Sequence, residues 1–334
     1  MKVLVLACGY DQIALIAELR SRGHTVYAAD YLEAPVAAAY ADRHYRVSTL
    51  DIPAVQDLAI RLKVDLITTA CTDQALLTVA VVSRNLGLPC YISPETALQV
   101  TNKLHMKRIL AESKIRTAQY IVVDTAVEKS TRKIDFPVVV KPVDCNSSKG
   151  VVKVYNDSML QQAVHEALAI SRSGRAIIEQ YVEGQELSVD AIVHNGEAEV
   201  LLITESAKMK NGEHFTIVQT RYPVEREDKI ATQVQYIVQS ICDAFAIENG
   251  PMLVQILRSA DDQLWVIEWS LRMGGGSKHR VIHLATGLPI MKWYVDFILG
   301  GGDTAGRDLR VQALSCCYVY CGKGTFDRLM GFET

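Results

Sequence analysis

The chain has 334 residues, of which 49% are hydrophobic and 22% charged, with a formal net charge of −3 at pH 7. Such a length supports two or three domains with their own cores, in the composition range of soluble globular enzymes. The near-neutral balance argues against nucleic acid or an anionic membrane as the main partner, and no apolar run approaches a membrane span.

The apolar opening at residues 3–8 is too short and too strand-like for a signal peptide. Eight cysteines occur without paired metal spacing; Cys316, Cys317 and Cys321 cluster, but no second cluster completes a zinc site. Free thiols in a reducing compartment follow, and with them a cytoplasmic location.

In chain order, residues 2–7 read as a strand. A helical pattern through Ile13, Ile16, Ala17 and Leu19 stops at Gly23. Strands at 25–29 and 65–69, helices at 58–62 and 75–86, and a short strand at Cys90–Tyr91 continue the alternation. That order predicts a parallel, Rossmann-like sheet over residues 1–93. Ser93 before Pro94 marks a helix start, a capping hydroxyl followed by proline at the first helical position. A helix at 103–113 follows, and residues 94–334 then form an α+β body whose segment at about 115–182 is expected to be a mobile lid. In it, strands at 138–141 and 151–154 flank a polar loop, and Ser158 with Gln161 makes a capping box for a helix through Leu160, Val164 and Leu168. Strands at 176–181, 186–193 and 198–204, a helix at 230–245, and a hairpin of 252–257 with 265–270 across Asp261-Asp262 complete the pattern.

The turn Ala7-Cys8-Gly9-Tyr10, with Asp30 ending the second strand, has the outline of a dinucleotide site. A pyrophosphate needs several glycines for close backbone approach, and only Gly9 is present, with Asp11 and Ala14 in the later places. The turn is therefore expected to lie beside the active cleft without holding NAD. Asp30 is at most a contact for a polar substrate.

The chemistry concentrates further on. The loop Asn146-Ser147-Ser148-Lys149-Gly150-Val151 supplies hydroxyls, amides and a glycine between two strands, which suits a flap over phosphates. Lys141 ends a very apolar strand and Lys103 opens a helix; each can present a point charge to a phosphate. The run Glu179-Gln180-Tyr181-Val182, where a strand stops and soon restarts, resembles a hinge whose backbone can read an adenine edge, and Glu186 can accept from ribose hydroxyls. Alternation on the strand at 265–270 puts Glu268, Ser270 and Arg272 on one face and Trp265, Ile267 and Trp269 on the other, toward the core. Gln255 lies across from Glu268. A buried glutamate needs a partner, and magnesium, an oxygen-seeking cation, is the natural one; a Glu268–Arg272 salt bridge is the alternative.

Together these residues resemble the ATP-grasp superfamily, most closely the synthetase halves of carbamoyl-phosphate synthetase and the carboxylate–amine ligases. The resemblance implies a Rossmann-like pre-ATP-grasp domain and two lobes gripping ATP. It implies that Lys103 and Lys141 touch phosphates, that Ser147, Ser148, Lys149, Gly150 and Val151 close over them, that Glu179, Gln180, Tyr181 and Val182 hold adenine, and that Glu186 holds ribose. Gln255, Glu268 and Ser270 match metal-ligand positions for magnesium, or manganese in its place, although relatives usually carry asparagine where Ser270 stands. The implied reaction joins a small-molecule carboxylate, activated as an acyl phosphate, to an amine. Arg272, with Lys141, is the expected catalytic residue. Lys278, Arg280 and a loop with Lys208, Lys210, His214 and Arg221 are candidates for substrate contact. A carboxylase or kinase on the same fold, or a non-catalytic nucleotide-binding protein, is the alternative, and a homodimer is compatible with either.

Overall fold

The structure is a computed structural model and describes residues 1–124, 134–145, 148–209, 215–301 and 312–320. Of the residues singled out above, Asn146, Ser147, Lys210, His214 and Cys321 lie outside the described ones.

The chain opens with β1 (Lys2–Leu6), α1 (Gln12–Ser21), β2 (Thr25–Asp30), a 3-10 turn (Val36–Tyr40), β3 (Arg43–Arg46), α2 (Ile52–Leu62), β4 (Leu66–Thr68) and α3 (Asp73–Leu86). The four strands form a parallel sheet in the order β3-β2-β1-β4. β3 has the sequence Arg-His-Tyr-Arg, with no apolar alternation to announce it. Cys90 and Tyr91, expected as a strand, are irregular. Tyr91 instead packs its ring on Tyr294 and Phe297 and donates its hydroxyl to the Leu271 carbonyl at 3.0 Å.

Ser93 caps α4 (Pro94–Thr101) as expected, its hydroxyl accepting from Thr96 N at 3.0 Å. Asn102 caps α5 (Lys103–Glu112). A second sheet is then built from β5 (Tyr120–Val123), β6 (Val138–Pro142), β7 (Val152–Val154) and β8 (Ala176–Gln180), antiparallel in the order β5-β8-β6-β7. α6 (Asp157–Ile170) covers it, and Val138, Val140, Leu160, Val164 and Ile178 form their own small core. The cap of α6 is Asn156, not Ser158. Asn156 is extended and its side chain accepts from Met159 N at 3.0 Å, which starts the helix earlier than the expected box.

The third sheet holds β9 (Gln185–His194), β10 (Glu197–Lys208), β11 (Ile217–Tyr222), β12 (Gly250–Arg258), β13 (Leu264–Ser270) and β14 (Leu314–Cys317), in the order β13-β12-β9-β10-β11-β14. α7 (Glu227–Phe245) packs on it, with Phe245 edge-on to Trp269 at 4.6 Å. α8 (Lys278–Thr286) and α9 (Ile290–Ile298) share a core with β1, β2 and α1, and so tie the first sheet to the third.

The hairpin of β12 and β13 departs from simple alternation. Gln255 pairs with Glu268 but Ile256 pairs with Val266, so Ile267 is an extra residue in a bulge. Leu264, Val266 and Trp269 are therefore buried in the core, while the side chains of Trp265, Ile267 and Glu268 are partly exposed at the cleft. The expectation that Trp265 and Ile267 join Trp269 in the core is corrected, because a one-residue insertion reverses the face of everything on one side of it.

Candidate active site

The cleft lies between the second and third sheets, with the start of α5 at its base. Lys141, the fourth residue of β6, donates to Glu179 Oε2 on β8 at 2.7 Å. The other oxygen of Glu179, Oε1, faces the Lys107 ammonium at 3.4 Å. Lys107 also donates to Thr117 Oγ1 at 2.5 Å, and that hydroxyl donates to the Val266 carbonyl of β13 at 2.7 Å. Lys103 donates to the Cys145 carbonyl at 2.5 Å and pairs with Glu268 Oε2 at 3.4 Å. Burial alone would raise the Glu179 carboxyl, but the charges of Lys107 and Lys141 hold it below the usual range. Burial pushes the Lys107 ammonium down to about 8, against the pull of Glu179. Three lysines thus share two carboxylates in one cleft. Lys107 is a site residue that the sequence reading lacks, although its place one helical turn after Lys103 puts both on one face of α5.

Ser148 and Val151 of the expected flap line this cleft, whereas Lys149 is exposed. Gly150 has φ +71°, and a Cβ there would stand 2.9 Å from Pro142 Cγ, so glycine is required for the loop to fold back on β6. Glu179, Gln180, Tyr181 and Val182 also line the cleft, Glu179 and Gln180 from β8 beside β6. The amides of Gln180 and Tyr181 are already given to the carbonyls of Gln119 and Pro137. The Glu179 side chain serves as counter-charge for lysines, which the hinge reading does not anticipate. Glu186 on β9 pairs with Lys208 at 2.5 Å and accepts from Gln255 Nε2 at 3.2 Å.

Gln255 and Glu268 are register partners on adjacent strands, as expected. Glu268 is 34% exposed toward the cleft and pairs with Lys103, not with Arg272. No group of three or more His, Cys, Asp or Glu residues able to hold a metal occurs among the described residues. One open carboxylate beside an amide, in a cleft of lysines, fits a magnesium ion that enters with a polyphosphate and keeps phosphate and water oxygens as its other ligands. Ser270 is buried beside Asp73, in a small adjoining cavity that also reaches Gln255, Glu268 and Arg272.

Arg272 is placed differently from expectation. Its Nε and Nη2 donate to the two Asp73 oxygens at 2.6 and 2.5 Å, and Nη1 donates to the Met273 carbonyl. Burial would lower the guanidinium pKa, yet the Asp73 charge raises it, and Asp73 is held low in return. The fork expected to meet a substrate anion is engaged by Asp73 at the start of α3. Lys278 is likewise buried on Asp190 Oδ2 at 2.9 Å and Thr204 Oγ1 at 2.5 Å. Arg280 remains exposed. Asp30 accepts from the amides of Cys8 and Leu32, and Asp11 from those of Gly276 and Ser277. The first turn therefore braces the glycine stretch, a contact with no sign in the sequence.

Residues 134–279, which run from before β6 to the start of α8 and so take in most of the second and third sheets and part of the cleft lining, match the family model of the ATP-grasp domain. That stretch, under half of the chain, is an ATP-grasp domain. It is similar to the L-arginine-specific L-amino acid ligase of Bacillus subtilis, 25% identical over 263 residues, covering 75% of this chain and 62% of that protein. It is also 28% identical over 209 residues to the arginine-specific carbamoyl phosphate synthase large chain of Eremothecium gossypii, covering 60% of this chain and 18% of that one. The chain thus spans less than two thirds of the length of either relative. The crystal structure of the L-amino acid ligase from Bacillus licheniformis superposes with a TM-score of 0.76 at 22% identity, over 90% of this chain and 74% of that one, so the shared fold extends beyond the matched residues. No helix among the described residues is long and apolar enough to cross a membrane.

Proposed function

We propose that the protein is an ATP-dependent ligase that activates a carboxylate as an acyl phosphate and joins it to an amine, releasing ADP and phosphate. The observation that carries this reading is the cleft in which Lys103, Lys107 and Lys141 outnumber the carboxylates Glu179 and Glu268. A buried excess of positive charge is costly unless a polyanion completes it. The relatives named as ligases support the choice of reaction. Amino acids are accordingly the first carboxylates and amines to consider.

Lys141 and Lys103 bind the phosphates, with Ser147, Ser148, Lys149, Gly150 and Val151 closing over them. Residues 180–182 hold the base, with the Glu179 side chain kept as the counter-charge of the lysines, and Glu186 holds the ribose, exchanging Lys208 for hydroxyl donors. Gln255 and Glu268 would hold magnesium, with Ser270 behind them; the ion supplies neutralisation of the charge on the transferring phosphoryl group. A carboxylate oxygen bonds to the γ-phosphorus as the bond to ADP breaks. The amine then attacks the acyl carbon, phosphate leaves, and the surplus proton leaves with it. Arg272, held rigid by Asp73, acts as an oriented positive edge to the small cavity beside Glu268. Closure of the 115–182 lobe excludes water from the acyl phosphate. The described cysteines are free thiols, in keeping with a cytoplasmic enzyme.

ADP release measured with magnesium–ATP over a panel of amino acids, singly and in pairs, tests the reading. Release that requires both a carboxylate and an amine is expected. Release with bicarbonate or a hydroxyl acceptor alone would replace it with a carboxylase or kinase.

A further inference from the structure

Resting on the nucleotide reading of the cleft, we propose that Lys107 is a positioning residue that keeps Glu179 neutralised when Lys141 leaves it for a phosphate. Glu179 is buried and its two oxygens face two different ammonium groups, Lys141 at 2.7 Å and Lys107 at 3.4 Å. The arrangement therefore contains one more cation than the carboxylate requires. Lys141 sits near the end of β6 where the flap begins, and both it and Lys107 are on the cleft wall. Lys107 is the more deeply buried, at 1% exposure, and is tied by Thr117 to the β13 backbone. That tether holds it in place while Lys141, with a more open path, turns outward.

The energetic logic is one of exchange. Removing one partner from a buried ion pair leaves an uncompensated charge and is strongly unfavourable. If Glu179 had Lys141 alone, each nucleotide binding event would have to strand a buried carboxylate. With Lys107 already against Oε1, Lys141 can transfer to the polyphosphate and Glu179 stays paired. Lys107 touches neither nucleotide nor substrate in this account. Its effect on ATP passes entirely through Glu179, and that dependence distinguishes it from a lysine that merely packs α5.

The test is a double-mutant cycle read by calorimetric titration of magnesium–ATP into the full chain, with circular dichroism confirming the fold. Lys107→Met should weaken ATP binding roughly tenfold or more, the scale of a charged hydrogen bond now competing for Lys141. Lys107→Arg, which keeps the charge, should stay near wild type. Glu179→Gln alone should leave affinity unchanged or tighter, because nothing then competes for Lys141. The double variant Lys107→Met/Glu179→Gln should recover most of the loss. An unaltered affinity in Lys107→Met, or a double variant as weak as Lys107→Met, overturns the proposal. Should Lys107→Met fail to fold, Glu179→Gln decides it: a loss of roughly tenfold or more, equal to losing a charged contact, overturns it as well. Absence of ATP binding by the wild-type chain would instead remove the nucleotide reading on which the proposal rests.

Discussion

Two buried groups of charge lie close together in this molecule and are built on opposite plans. Arg272 with Asp73, and Lys278 with Asp190, are one-to-one pairs. In the cleft, Lys103, Lys107 and Lys141 share Glu179 and Glu268. The first plan is closed: each charge has its own partner, and the pairs fasten α3 and α8 to the third sheet. The second plan is open, with a cation to spare. Balance marks a buried ion pair as architecture, and surplus marks it as a place for a ligand.

That contrast can be broken from either side. The largest effect is expected at the closed pairs. Asp73→Asn leaves Arg272 unpaired and should lower unfolding free energy by about 3–5 kcal/mol in a urea titration. An unchanged unfolding free energy would remove the pair from the framework and leave Arg272 to the chemistry alone. In the cleft the expected order is reversed. Glu268→Gln should cut turnover on the order of a hundredfold or more, as for removal of a group stabilising transferred charge, with little change in melting temperature. Full activity in that variant would remove Glu268 from the metal site.

The pH dependence sharpens the same division. Lys107 is pushed down to about 8 in the nucleotide-free cleft. When Lys141 turns to a phosphate, Lys107 loses a like charge and becomes the sole partner of Glu179, so its pKa rises on binding. Binding above that value must then take up a proton, and ATP affinity should fall as pH rises through about 8, by at most about tenfold per unit. Calorimetry between about pH 7 and 9.5, spanning that titration, in buffers of different ionisation enthalpy detects the uptake; in Lys107→Arg, always charged, the fall should vanish. The folded-state pKa of Lys107 lies below its ordinary value, so the ammonium costs stability at neutral pH and that cost is relieved as pH rises from about 8 toward 10.5. The smallest effect is expected at Ser270, which is buried beside Asp73. Ser270→Asn should change turnover by no more than a few-fold, upward if the longer amide reaches the metal; the cavity beside it is small, and a large loss would show overpacking there.

Much of this fold and site is legible in the sequence. The parallel alternation of the first domain, the Ser93-Pro94 helix start, the position of Lys141 at the end of an apolar strand and the pairing of Gln255 with Glu268 all follow from periodicity and turn chemistry, which are local. The ATP-grasp resemblance rests on such local features too. What escapes the sequence depends on long-range contact. The bulge at Ile267 has no sequence mark, since Trp-Val-Ile-Glu-Trp reads as ordinary alternation, yet it turns Trp265 and Ile267 to the cleft. Arg272 finds Asp73 across 199 positions of chain, and Asp11 finds Gly276 across 265. Lys107 is within reach of sequence reasoning through its spacing from Lys103, but only Glu179, on another element, reveals what it does. α8, α9 and β11 also escape; α8 and α9 are short, and β11 lies in a segment that reads as a polar loop.

The central claim, that the open cleft is the ATP site, is tested most directly by calorimetric titration of magnesium–ATP into the wild-type chain and into Lys141→Ala. Lys141 reaches into the cleft from the second sheet and is held there by Glu179. The account predicts one ATP per wild-type chain and an affinity lower by roughly tenfold to a hundredfold in the variant, the range for one charged contact, with the same far-ultraviolet circular dichroism. Equal affinity in the two proteins would contradict it.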